Sequence, residues 1–185
     1  MSNGLALAAV TAALGRVISQ ALQAVPNLSA APELRIGRPP VDAGFVGANL
    51  CLYRASPSLS HRNDLPARAP DGTPVGRSPA ALDLDYIVSC YGSDAALEPH
   101  RLMGSVVARL HATPLLTPPI IGAAIASAGG ILAGSDLDQQ IEPLRVMLVP
   151  LDLESLHRVW SLIGAPYSIS VACTASGVLH DAAEE

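Results

Sequence analysis

The sequence predicts an α+β (mixed α/β) fold in which helices flank a central mixed β-sheet. Two kinds of pattern favour this class. Apolar residues recur at helical spacing in some segments and alternate in two-residue steps in others. The two kinds are interspersed, in the order helix, strands, helices, strand, helix, strand, as expected when helices pack on one sheet. At 185 residues the chain can enclose one core, so we expect a single domain over residues 1–185.

The first helix is predicted within residues 1–24, because its large apolar residues share one helical face and Pro26 follows the last of them. Residues 33–37 predict a short strand. Val46 to Arg54 predict a longer strand, with Val46, Ala48, Leu50 and Leu52 on one face and Asn49 and Tyr53 on the other.

A long loop is predicted over residues 56–79, which contain five prolines and the turn sequence Pro70-Asp71-Gly72. Residues 80–91 then alternate as a strand, with Leu82, Leu84, Tyr86 and Val88 opposite Asp83 and Asp85. We expect this strand to pair with the 46–54 strand, as a hairpin with a very long connection.

The second half begins with a helix at Glu98-Pro99, which Thr113-Pro114 ends. The apolar segment 119–134 predicts another helix, which its glycines weaken. Residues 143–150 predict a strand, followed by a helix that Asp152 caps and Gly164 ends. Its apolar face is predicted to hold Trp160, with Leu153, Leu156, Val159 and Ile163. Residues 167–179 predict the last strand, and residues 180–185 a frayed acidic tail.

Composition limits the function classes. The net charge is −5, which argues against sequence-independent nucleic-acid binding. All eleven basic residues are arginine, so Schiff-base chemistry and a Walker lysine are excluded. Cys51, Cys90 and Cys173 lie far apart in apolar runs, and we expect buried free thiols in a reducing compartment.

Few residues point to catalysis. Asp83 and Asp85 on one strand face would lie about 7 Å apart, which suits a cation or an acid–base pair. A small metal-dependent hydrolase is therefore one alternative, but a solvated or interface-facing strand side is the favoured interpretation. The five histidines lack metal-site spacing, and we expect them at the surface or at interfaces. We expect no metal, no cofactor and no catalysis.

The segment 119–134 raises a second alternative, a peripheral membrane protein. It is shorter than the ~20 residues that a bilayer requires, so membrane insertion is not expected. The N-terminus lacks the basic residues that begin a signal peptide.

Four stretches occur in a characteristic order: NLCLYRASPSLSHRNDLPAR, ALDLDYIVSCYG, HRLMGSVVARLHATPLL and LDLESLHRVWSLIGAPYSISVACTASGVL. Together they resemble the cap, or tail-terminator, family of phage-tail-like contractile injection systems, of the antifeeding-prophage and virulence-cassette type. The resemblance extends from the N-terminal helix to Leu179. Its marks are Leu52-Tyr53, the 62–66 sequence RNDLP, Tyr91-Gly92, the 100–104 sequence HRLMG, and Trp160 followed by Pro166-Tyr167.

The resemblance implies a tail-terminator-like fold and a six-fold ring of identical subunits. Such a ring ends the inner tube and anchors the last sheath ring, so the implied partners are further copies, the tube protein and the sheath protein. It implies assembly in the bacterial cytoplasm, in a particle that stays there or is released. The interface residues that we expect are polar: Arg62, Asp64, Arg68, Arg77, Asp83, Asp85, His100 and Arg101.

Overall fold

The computed structural model describes residues 3–40, 42, 44–58, 80–140 and 142–180. The helices are α1 (Ala6–Gln23), α2 (Glu98–Ala112), α3 (Pro118–Ser127) and α4 (Leu153–Ile163). The strands are β1 (Glu33–Ile36), β2 (Gly47–Pro57), β3 (Ala80–Tyr91), β4 (Leu115–Leu116), β5 (Leu144–Val149) and β6 (Ser170–His180).

The strands form one six-stranded sheet in the order β1-β2-β3-β6-β5-β4. β1 runs parallel to β2, and all other neighbours are antiparallel. The predicted mixed sheet is therefore confirmed. Gly47 permits the close approach of β1 to β2. It has a φ of +147°, and a Cβ there would lie 1.9 Å from the Glu33 carbonyl oxygen.

The predicted hairpin is confirmed, because β2 pairs antiparallel with β3 from Gly47–Tyr91 to Pro57–Leu82. The predicted loop boundary at residue 56 was wrong. β2 continues to Pro57 because proline lacks only one ladder N–H at a strand end, and the Ser58 N–H then donates to the Ala81 carbonyl at 2.8 Å. The remainder of the predicted loop, 59–79, lies outside the described residues, as do residues 181–185 of the predicted tail. The frayed state predicted for His180 was wrong, because His180 pairs with Ala80 as the last residue of β6.

The two faces of the sheet differ in how much they bury. Helices α1, α2 and α3 cover one face, where thirty of the described residues form a hydrophobic core. The predicted inward residues Leu84, Tyr86 and Val88 belong to it. Helix α4 covers the opposite face through a cluster of four buried residues, Cys51, Ile87, Val159 and Trp160.

Two predicted helix features were wrong. The helix expected over 119–134 ends at Ser127, because Gly129 and Gly130 adopt positive φ values and turn the chain. Leu153 was expected on the apolar face of α4 but is 85% exposed, because the first turn of α4 lies outside the small buried cluster. The two-residue strand β4 was not predicted.

Other local predictions are confirmed. The Asp152 carboxylate caps α4 by accepting the Ser155 N–H at 2.7 Å, and this bond lowers the pKa of Asp152. Gly164 ends α4 with a φ of 67°. The three cysteines are free and buried.

By length and composition, α1 passes as a membrane-crossing helix, but 56% of it is buried inside the fold. The segment that raised the membrane alternative forms only the ten-residue α3, half the length that a bilayer requires.

Candidate assembly surfaces

The Asp85 side chain of β3 links three neighbouring strands through polar contacts. In the sheet register it stands opposite Arg54 of β2 on one side and Thr174 of β6 on the other. Its carboxylate accepts the Arg54 Nε–H at 2.6 Å and the Thr174 hydroxyl at 2.5 Å. The hydrogen bond to Asp85 raises the pKa of Arg54. Although its strand side was expected to be solvated or interface-facing, Asp85 is only 5% exposed.

Irregular pairing places these groups together. The β2–β3 register shifts between Leu52 and Arg54, and the β3–β6 register shifts between Leu82 and Leu84. Such bulges re-aim side chains relative to the regular alternation. Asp83, two residues earlier, is half-buried, and its Oδ1 has no hydrogen-bond partner. Within the described ranges, no group of three or more His, Cys, Asp or Glu side chains is placed to hold a metal.

Glu98 is a second buried carboxylate, and it ties three segments together. It accepts the Ser93 N–H at 2.7 Å, the Ser29 N–H at 2.5 Å and the Ser29 hydroxyl at 3.0 Å. The backbone N–H groups of Ser93 and Ser29 lower the pKa of Glu98 against the opposing effect of burial. The start of α2 is thereby joined to the connection between α1 and β1.

Arg101 strengthens the same junction. Its guanidinium donates to the carbonyls of Pro26 and Asn27 in the α1–β1 connection. His100, its neighbour on α2, is exposed. The other predicted interface residues, Arg62, Asp64, Arg68 and Arg77, lie outside the described residues. The structure therefore brings Asp83 and Asp85 near each other on β3, and places His100 and Arg101 at the start of α2.

Trp160 anchors α4 to the sheet, which confirms its prediction as a core residue. It is 4% exposed, and its indole N–H donates to the Ser170 hydroxyl at 3.2 Å. The Tyr167 ring packs edge-on against it, with ring centroids 5.6 Å apart.

Residues 9–185 match the family of the Pvc16 N-terminal domain. This chain belongs to that family. A comparison with proteins of curated function gave no match.

Two solved structures share the fold of this chain. One is the sheath/tube terminator, in the extended state, of the extracellular contractile injection system PVC. It has 16% identity and a TM-score of 0.57, and the match covers 92% of this chain and 56% of that one. The other is the tube-terminating cap of the anti-feeding prophage, with 16% identity, a TM-score of 0.56, and coverage of 92% and 54%. The chain thus spans about half the length of each, and the tail-terminator-like α+β fold is confirmed.

Several residues that hold the structure together were not predicted from the sequence. Glu98 was recognised only as part of a helix start, although a buried acid beside a helix N-terminus is a common N–H acceptor. Arg54 carried no signal, because its contact with Asp85 depends on a bulge. Of the resemblance marks, Gly92 is explained by Glu98, whose side chain would lie 2.7 Å from a Cβ at position 92.

Proposed function

We propose that this chain is a structural terminator subunit of a contractile injection system. Copies of it form a ring, with six as the expected number, that ends the inner tube and anchors the last sheath ring. The observation that carries this proposal is the fold shared over 92% of the chain with two tube-terminating proteins. Membership of the Pvc16 N-terminal domain family over residues 9–185 supports it independently.

The polar contacts support a structural role without catalysis. The Asp85 carboxylate is engaged by Arg54 and Thr174, and the Glu98 carboxylate by Ser29 and Ser93. Both groups stabilise connections between segments of the same chain. The hydrogen bonds that Glu98 accepts from the backbone N–H groups of Ser93 and Ser29 lower its pKa, so this carboxylate is held in its charged form and is a poor proton donor.

The partners that we propose are identical subunits, the inner tube and the sheath, within a phage-tail-like particle assembled in the bacterial cytoplasm. We propose that residues 1–185 act as one terminator domain. Arginines of this domain contact carboxylates on neighbouring subunits, since a guanidinium binds a carboxylate through two parallel hydrogen bonds. Arg62, Arg68 and Arg77 of the 59–79 segment are the candidates, and Asp64, Asp83 and His100 are further polar candidates for the interface.

The test is deletion of the gene, followed by measurement of particle length in electron micrographs. Loss of a terminator removes the stop to tube polymerisation, so the deletion strain should produce tubes and sheaths with a broad length distribution, or unstable particles. Complementation with the wild-type gene is the control and should restore a narrow distribution. Particles of normal length and number in the deletion strain would contradict the proposal.

A further inference from the structure

A groove on the helical face of the subunit carries two arginines without an acidic partner. Arg109 of α2 donates to the Gln20 side-chain oxygen at 2.5 Å, and Arg16 of α1 donates to the Ser127 hydroxyl at 3.3 Å. Among the described residues, neither guanidinium forms an ion pair, whereas Arg35, Arg54 and Arg158 each do. Both groups are exposed. They are therefore positioned to bind a carboxylate that the described part of the subunit does not supply.

The groove beside these arginines has an apolar part. A cavity of about 280 Å³ lies between α1, α2 and α3, and Val17 and Ile120 line it together with both arginines. A second cavity of about 480 Å³ adjoins it at Arg16 and is lined by Leu34 and Ile36 of the edge strand β1. Ile36 is 56% exposed. The combination fits a protein segment that carries a large apolar side chain next to an acidic one.

The subunit presents such a segment on its opposite side. Asp152, Leu153 and Glu154 begin helix α4, which packs on the sheet face that α1, α2 and α3 do not cover. Leu153 is 85% exposed, and acidic residues flank it on both sides. Among the described residues, Glu154 forms its ion pair with Arg158, one turn along the same exposed helix. Such an exposed i,i+4 pair is weak and is readily exchanged for another partner.

We propose that the groove formed by Arg16, Arg109 and the apolar residues beside them receives the 152–154 segment of a second copy of this chain. Leu153 enters the apolar part, and the flanking carboxylates meet the two guanidinium groups. Opposite charges on the two surfaces favour this pairing and disfavour groove against groove. Because the surfaces lie on opposite sides of the subunit, the contact is head-to-tail, and head-to-tail contacts generate rings when they close. This inference rests on the ring in the proposed function and identifies its subunit interface.

Cross-linking between copies tests the contact. Thr113 lines the groove, and His157 lies one turn beyond the acidic segment, so Thr113→Cys and His157→Cys leave the two arginines, Leu153 and its flanking carboxylates in place. The native cysteines should stay silent, because burial raises the pKa of Cys90 and Cys173 to about 12 and also raises that of Cys51. The variants are expressed in the deletion strain, and purified particles are treated with a short bismaleimide. A chain carrying both substitutions should give a ladder of dimers and higher species, whereas each single variant should remain monomeric.

Charge reversal then tests the chemistry. In the doubly substituted chain, Arg109→Glu should lower the cross-linking yield by about tenfold or more, because like charges then face each other. Adding Glu154→Arg should restore most of the yield. Arg145→Glu is the matched control, since Arg145 is exposed on β5, away from the groove, and should leave the yield unchanged. Circular dichroism establishes that each variant is folded.

Three outcomes would overturn the inference: no ladder from the doubly substituted chain, dimers from His157→Cys alone, or an Arg109→Glu defect that Glu154→Arg does not relieve. These results are separable from failure of the proposed function. Wild-type chain that enters particles and controls their length without the cross-link leaves the terminator role intact. A deletion strain with normal particles removes that role whatever the cross-linking gives.

Discussion

The anchoring of α4 by Trp160 leads to a quantitative prediction for the Trp160→Ala variant. The indole is 4% exposed, and it packs in a cluster with Cys51, Ile87 and Val159. Truncation of a buried tryptophan costs about 3–5 kcal/mol in the free energy of unfolding. The cluster is small, and Tyr167 beside it is mostly exposed, so the site can partly collapse or hydrate. We therefore expect the lower end, about 3 kcal/mol.

For a chain of this size, about 3 kcal/mol corresponds to a fall of roughly 6–12 °C in the melting temperature. Thermal unfolding followed by circular dichroism measures it without depending on tryptophan fluorescence. Trp160→Phe retains most of the apolar contact and loses the 3.2 Å bond to Ser170, so its cost should be about 1 kcal/mol.

The matched control is Leu162→Ala on the same helix. Leu162 is 87% exposed, so its truncation should change stability by no more than about 0.5 kcal/mol. If Trp160→Ala melted within about 2 °C of the wild type, or if both variants lost the same stability, burial in this cluster would not explain the role of Trp160.

Glu98→Gln should destabilise the protein at neutral pH. Because the folded-state pKa of Glu98 is lowered, its contribution is full above the unfolded pKa of about 4.3 and disappears as the pH falls through the folded pKa. The difference in melting temperature between this variant and the wild type should shrink as the pH falls towards about 3, where carboxylates become protonated. A difference that stayed constant with pH would contradict this explanation. Iodoacetamide at about pH 8 should label none of the three cysteines in the folded protein, because burial raises their pKa values. All three should be labelled in denaturant, as measured by mass spectrometry. Rapid labelling of the folded protein would indicate that a cysteine is locally exposed. Replacing residues 59–79 with an Asn-Gly turn should leave the melting temperature at or above that of the wild type, because a shorter connection lowers the entropic cost of loop closure by about 2 kcal/mol. The same variant should no longer co-sediment with particles, because it lacks Arg62, Arg68 and Arg77. Wild-type incorporation of this variant would mean that the segment is a tolerated insertion.

Much of the fold was predictable because local patterns and tertiary structure agree. All five large apolar residues on one face of α1, Val10, Leu14, Val17, Ile18 and Leu22, are buried. The alternation in β3 likewise places Leu84, Tyr86 and Val88 in the core. In these elements the apolar periodicity of the sequence coincides with the buried positions.

Features that depend on long-range geometry were not predictable. The contacts of Asp85 with Arg54 and Thr174 depend on two bulges. The positions of these bulges are set by the pairing register of β2, β3 and β6. Leu153 fits the helical periodicity of α4, but its exposure depends on how far the small cluster beneath the helix extends. The arginine groove joins α1 and α2, which lie about ninety residues apart in the chain, since Arg109 and Gln20 are separated by 89 positions.

The two faces of the sheet bury different numbers of residues, so the helices on them should differ in how readily they open locally. Helix α4 is held by four buried residues, whereas α1, α2 and α3 share a core of thirty among the described residues. Regions with few buried apolar contacts open without global unfolding, so α4 should detach at a lower free-energy cost than α1. Backbone amides of α4 should therefore exchange with deuterium sooner than those of α1. A neighbour that binds the first turn of α4 would suppress this opening, so assembly would slow amide exchange in a helix on the far side of the sheet from the main core.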